Sequence, residues 1–117
     1  MISTKSVQKA YEALFSGGVY VSLHTADPQA AGHNEVRGGD YKRQGRNISA
    51  PNSSGEMALV GQVAFTGMPA AMITHYGLWD AASLGNFLWG FEADEPKATN
   101  KGDVFQLDGG WLVAKLG

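Results

Sequence analysis

The sequence predicts a mainly β protein: a β-sandwich or jelly-roll-like domain of about seven short strands with one N-terminal α-helix. Three observations predict it. Alternating apolar stretches are separated by Gly-, Asn-, Asp- and Pro-bearing turns at roughly 8–12 residue intervals. The stretch Met72–Glu92 concentrates aromatic residues and holds Trp79 and Trp89, two of the three tryptophans. Helical periodicity is confined to the chain before Gly18.

The 117 residues suffice for one domain, 1–117, with the helix in 1–17 and the β-sandwich in 18–117. A chain of this size buries roughly 60–70% of its unfolded surface, so one core can hold it without staples. There are no cysteines, which excludes disulfides and thiolate metal sites. Net charge is −2 and the pI about 5.8, so neither a nucleic-acid surface nor a membrane partner is implied. Charged residues are 17% of the chain and glycines number 16. Low charge with high glycine fits a turn-rich β protein that covers part of its surface with partners. No signal peptide and no membrane-length apolar run is visible.

In the helix, Val7, Ala10, Tyr11, Leu14 and Phe15 make one apolar stripe over Ser3–Phe15. Ser3 or Thr4 caps it, and Gly17–Gly18 stop it. It packs on the sheet, or it serves as an arm on a neighbouring subunit. Val19–His24 follows as a strand with Val19, Val21 and Leu23 on one face and Tyr20, Ser22 and His24 on the other. Asp27-Pro28 ends it, and a long polar loop runs from Gln29 to Asp40. Tyr41–Ile48, with Lys42, Arg43 and Arg46, reads as an edge or partly exposed strand. Glu56–Thr66 reads as one strand with Gly61 as a bulge. Met72–Trp79 and Asn86–Glu92 form the aromatic hairpin. Ala93–Gly102 reads as a polar loop. Asp103–Leu107 is a short strand with Val104 inward, joined by the Asp108-Gly109-Gly110 turn to a last strand, Trp111–Leu116.

Little here carries chemistry. His24, His33 and His75 match no ligand spacing, so no metal and no cofactor is expected. Asp27 and Glu35 are imaginable as a hydrolytic carboxylate pair. The simpler reading gives Asp27 the turn and Glu35 the loop, with an Arg–carboxylate contact to the Lys42–Arg46 cluster. No nucleophile elbow and no phosphate-binding glycine loop is present. The chain therefore reads as a non-enzyme. Tyr41, Tyr76, Trp79, Trp89 and Trp111 are many aromatics for a small domain. They serve a core, a protein interface or a sugar-stacking surface.

The run Leu23-His24-Thr25-Ala26-Asp27-Pro28, with Gly32, Asn34-Glu35-Val36, Gly38-Gly39, Tyr41 and Arg43, resembles a signature of small tail-fibre-type or minor-tail virion proteins of tailed bacteriophages. Thr74-His75-Tyr76-Gly77-Leu78-Trp79-Asp80-Ala81, followed by Gly85-Asn86-Phe87-Leu88, is similar to the same family. So is Gly102-Asp103 with Leu107 and Gly110. Leu84 stands where that family often has glycine. The resemblance implies a structural virion component, of the tail fibre or a capsid-decoration protein, assembled in the bacterial cytoplasm. Its partners would be itself, as a homo-oligomer with a trimer favoured, and other virion proteins. The residues Asp27, Pro28, Glu35, Gly38, Gly39 and Arg43 would then build the long loop, with Glu35 receiving Arg43. The alternative is a module binding host-surface glycans through exposed aromatics.

Overall fold

The computed structural model describes residues 18–49, 53, 56–107 and 112–115. The expected N-terminal helix, the Asp108-Gly109-Gly110 turn and Trp111 lie outside the described residues. Within them the protein is mainly β and has no helix. The strands are β1 Val19–His24, β2 Gln44–Ile48, β3 Glu56–Val60, β4 Val63–Phe65, β5 Ala71–Trp79, β6 Phe87–Thr99, β7 Phe105–Leu107 and β8 Leu112–Lys115. They form a six-stranded sheet, ordered β6-β5-β1-β2-β3-β8, and a two-stranded ribbon, β4-β7. All pairings are antiparallel.

The alternation in β1 sets the layering. Val19, Val21 and Leu23 face the main core, where Val21 pairs with Leu78 and Leu23 with Tyr76. The β4-β7 ribbon covers that face. Phe65 meets Phe105 with ring centroids 6.4 Å apart, Phe105 meets Tyr76 at 6.2 Å, and Phe65 stacks on Tyr41 at 5.8 Å. Val63, Phe65, Ile73 and Leu78 are wholly buried. Each such side chain contributes roughly 1.5–3 kcal/mol of apolar burial.

Four expectations are corrected. The strand carrying Arg46 is not an edge, since β2 pairs with β1 on one side and β3 on the other; it is the partly exposed strand of the other expectation. The Glu56–Thr66 stretch is two strands, because Gly61 at φ +85° turns the chain out of the large sheet and into the ribbon rather than making a bulge. The region after Glu92 is not a loop. β6 runs on to Thr99 as the edge of the sheet, where Pro96 and its charged neighbours are tolerated because no outer strand needs their donors. Val104 points outward at 59% exposure, while Phe105 and Leu107 are buried. The ribbon's packing on Tyr76 decides that face.

Candidate functional site

The second face of β1 is also covered: Tyr20 is half-buried and the two residues after it on that face are wholly buried. Ser22 and His24 have no exposed surface, although both are polar. Opposite them on β5, Ser22 pairs with Gly77 and Tyr20 with Trp79. Gly77 leaves the room that these side chains use: a Cβ there would stand 2.5 Å from Ser22 Oγ and 2.7 Å from His24 Nε2.

The segment after β1 folds back over this face. Asp27 Oδ1 accepts from Gln29 N (2.8 Å), and Asn34 Nδ2 donates to the Asp27 carbonyl (3.0 Å). Thr25 N donates to Asn34 O at 3.0 Å, and Val36 N to Leu23 O at 2.9 Å. Pro28 is buried at the foot of the loop. Gly32, at φ +77°, lies flat against the rings of Trp79 and Phe87. Gly39, at φ +56°, passes against the backbone of Gly67, whose carbonyl accepts from Asp40 N at 2.8 Å.

Beneath the loop runs a directed chain of hydrogen bonds. His24 Nδ1–H donates to the His33 carbonyl (2.7 Å), which leaves Nε2 as an acceptor. Ser22 Oγ donates to that nitrogen at 2.6 Å and accepts from Trp79 Nε1–H at 2.8 Å. The chain requires a neutral imidazole. Burial, the largest cause, lowers the His24 pKa from 6.5, against a smaller opposing pull from the His33 carbonyl and Glu35.

At the outer end of the loop, Glu35 and Arg43 make an ion pair at 2.9 Å, their side chains only 18% and 9% exposed. The Glu35 carboxylate also accepts from Arg43 Nε (3.0 Å) and Tyr41 Oη (2.7 Å). Arg43 Nη1 donates to the carbonyls of Ala81 (3.1 Å) and Leu84 (2.8 Å), at the tip of the β5–β6 hairpin. Its guanidinium carbon sits 3.6 Å from the Trp79 ring centroid. One planar cation thus ties together the loop, β5 and the hairpin tip, a task a lysine cannot perform. Tyr41 Oη accepts from Leu23 N at 3.0 Å. Burial, and then the Glu35 charge, push the Tyr41 pKa well above its ordinary value, so it stays a phenol and a donor. The tip is closed by Asp80, which accepts from Asn86 N (2.7 Å) and Nδ2 (2.8 Å); those bonds lower its pKa.

The structure therefore brings Glu35, Tyr41, Arg43 and Trp79 together and keeps Asp27 apart from them. Asp27 lines a separate depression of about 400 Å³ with His75 and Glu92, so Asp27 and Glu35 do not form a carboxylate pair. Gly38 lies beside Pro69, with Gly39 next to it. Tyr76 and Trp79 are interior, 2% and 7% exposed, and Trp89 is half-buried against the core. Among the described residues no three His, Asp or Glu side chains come together as a metal site. Ser22, Phe87 and the Ala81 and Leu84 carbonyls were not singled out from the sequence. The Tyr20-Ser22-His24 alternation was the available signal for a second buried face.

Every polar group of this network is spent on holding loop, sheet and hairpin to one another, which is the chemistry of a structural β protein. The model of the family described as podophage GP4 fiber I protein gp80 matches residues 8–115, nearly the whole chain, and the chain belongs to that family. It is a phage tail-fibre-type structural protein, a virion component. No curated protein matches it.

Proposed function

We propose that the chain is a single β domain, 1–117, of sandwich type that performs no catalysis and acts in the tail fibre through assembly with itself and other virion proteins. The carrying observation is Arg43, which binds Glu35, two hairpin-tip carbonyls and the Trp79 ring at once. Such a clamp fixes the shape of a surface. The family's fibre description supports tail over head decoration. The Ser22–His24 contact has the spacing of a nucleophile and base, yet both residues have zero exposure and Ser22 is committed to Trp79. Assembly is also favoured over glycan stacking: no aromatic side chain among the described residues is fully exposed. The test is mass spectrometry of purified particles of a phage carrying this gene, with immunogold labelling to place the chain. Labelled tails are expected. Absence of the chain from washed particles would overturn the reading.

A further inference from the structure

The first part of the β1–β2 loop folds as a cap of its own. Over residues 25–34 its hydrogen bonds run largely within it: Thr25 N donates to Asn34 O, His33 N to Pro28 O (2.7 Å), Asn34 Nδ2 to the Asp27 carbonyl and Gln29 N to Asp27 Oδ1. The His24↔Glu35 bridge closes its base. Within that span only Pro28 and Gly32 are buried. Pro28 rests on β6, where a Cβ on Gly90 would stand 2.8 Å from Pro28 Cγ, and Gly32 rests on Trp79 and Phe87. A segment with few buried contacts and internal bonds opens at less cost than the sheet beneath it. The depression of about 400 Å³ that Asp27, Gln29, His75 and Glu92 help to line already lies between this cap and β5–β6.

Under the cap lies a ring that is costly to charge in place. The directed chain needs His24 Nε2 as an acceptor. A second proton turns it into a donor aimed at Ser22 Oγ, which already accepts from Trp79 Nε1–H, and the Ser22 proton loses its acceptor. The groups around the ring offer no ready counter-charge. Glu35, bridged to it from the loop, is bound by Arg43 Nε and Nη2 and by Tyr41 Oη. His75, in register on β5, brings a second imidazole, and like charges directly opposite repel. Glu92, in register with His75, stands one strand further off, and Asp27 sits on the cap itself. Phe87 packs edge-on at 6.0 Å, and Arg43 is itself a cation. The His33 carbonyl favours the charged ring, but as a single neutral acceptor. An imidazolium here needs water, and the cap is what keeps water out.

We infer that protonation of His24 lifts the 25–34 cap off the sheet as a unit, while sheet and core stay folded, and so bares Trp79, Phe87 and the Ser22 hydroxyl. Acid thus shifts the population from a closed to an open form. Burial, the largest influence, already holds the His24 pKa below 6.5, with smaller downward pushes from His75 and Arg43 against the His33 carbonyl and Glu35. The device is built into the chain itself, goes beyond the assembly reading and holds wherever the chain sits in the virion.

The test follows the Trp79 indole Nε1–H of the full chain by NMR hydrogen exchange between about pH 7.5 and about pH 5, corrected for the intrinsic pH dependence of exchange. The backbone amides of Val21 and Leu78, paired in the centre of the sheet, are followed beside it. Acid is expected to raise the opening at Trp79 at least about ten-fold and to leave the two core amides unchanged. His24→Gln, neutral at every pH, is expected to lose the response. His33→Gln is expected to retain it, because that side chain is exposed and its carbonyl is kept. If His24→Gln does not fold, the wild-type comparison of indole and core amides still decides. A pH-independent indole, acceleration of indole and core amides together, a response that survives in His24→Gln or one lost in His33→Gln would each overturn the device.

Discussion

The Arg43 guanidinium carbon sits over the Trp79 ring, 3.6 Å from its centroid, while its nitrogens bind the Glu35 carboxylate. Replacing Arg43 with lysine keeps the charge and loses the fork, the stacking and the two tip carbonyls. The pair is nearly buried, so Arg43→Lys is expected to cost about 2–3 kcal/mol in denaturant unfolding. A double-mutant cycle with Glu35→Gln should return a coupling of about 1–3 kcal/mol. Strict additivity would show that the pair does not act as a unit.

Tyr41 joins β1 to the loop that follows it through one hydroxyl, which accepts from Leu23 N and donates to Glu35. Tyr41→Phe keeps the ring against Phe65 but leaves a buried amide without its acceptor. A loss of about 1–3 kcal/mol is expected. Hydrogen exchange at the Leu23 amide should accelerate more than at core amides away from the site. Uniform acceleration would assign the effect to packing instead.

The His24 chain makes stability pH-dependent with a defined sign. Its folded pKa lies below the ordinary 6.5, so the unfolded chain binds more protons just under that value. The contribution is complete above about pH 6.5 and is lost as pH falls through the folded pKa. His24→Gln should flatten the unfolding free energy in that window. The lowered Asp80 acts only further down, below 3.8, where its protonation releases Asn86. A wild-type curve rising steadily from pH 7 to pH 5 would refute the assignment.

Gly32 is required by space as well as by φ. A Cβ there would stand 2.8 Å from Phe87 Cδ1 and closer still to Trp79. Gly32→Ala should destabilise by about 2–3 kcal/mol and blue- or red-shift Trp79 emission as the loop lifts from the indole. Gly61→Ala meets nothing within 4 Å and bears only the φ penalty, expected at about 1 kcal/mol. Equal losses at the two glycines would show that backbone conformation, and not the close approach, governs Gly32.

Much of this protein was determined by its sequence alone. Period-two alternation in Val19–His24, the aromatic Met72–Trp79 strand and the Asp27-Pro28 turn set strands and punctuation, because these depend on neighbours a few residues away. Asp, Pro and Glu after Glu92 looked like a loop for the same local reason; only their place at the sheet edge makes them a strand. Likewise Gly61 could be read as a bulge, but the turn that sends Val63–Phe65 into a second layer follows from what Tyr76 and Phe105 offer there. The Glu35–Arg43 contact was foreseeable from composition and closeness in the chain. The other three partners were not: Trp79 and the Ala81 and Leu84 carbonyls reach Arg43 from far along the chain. Local order is set by sequence spacing, whereas burial of Ser22, His24 and Trp79 depends on which distant segment closes over them, and only the tertiary structure decides that.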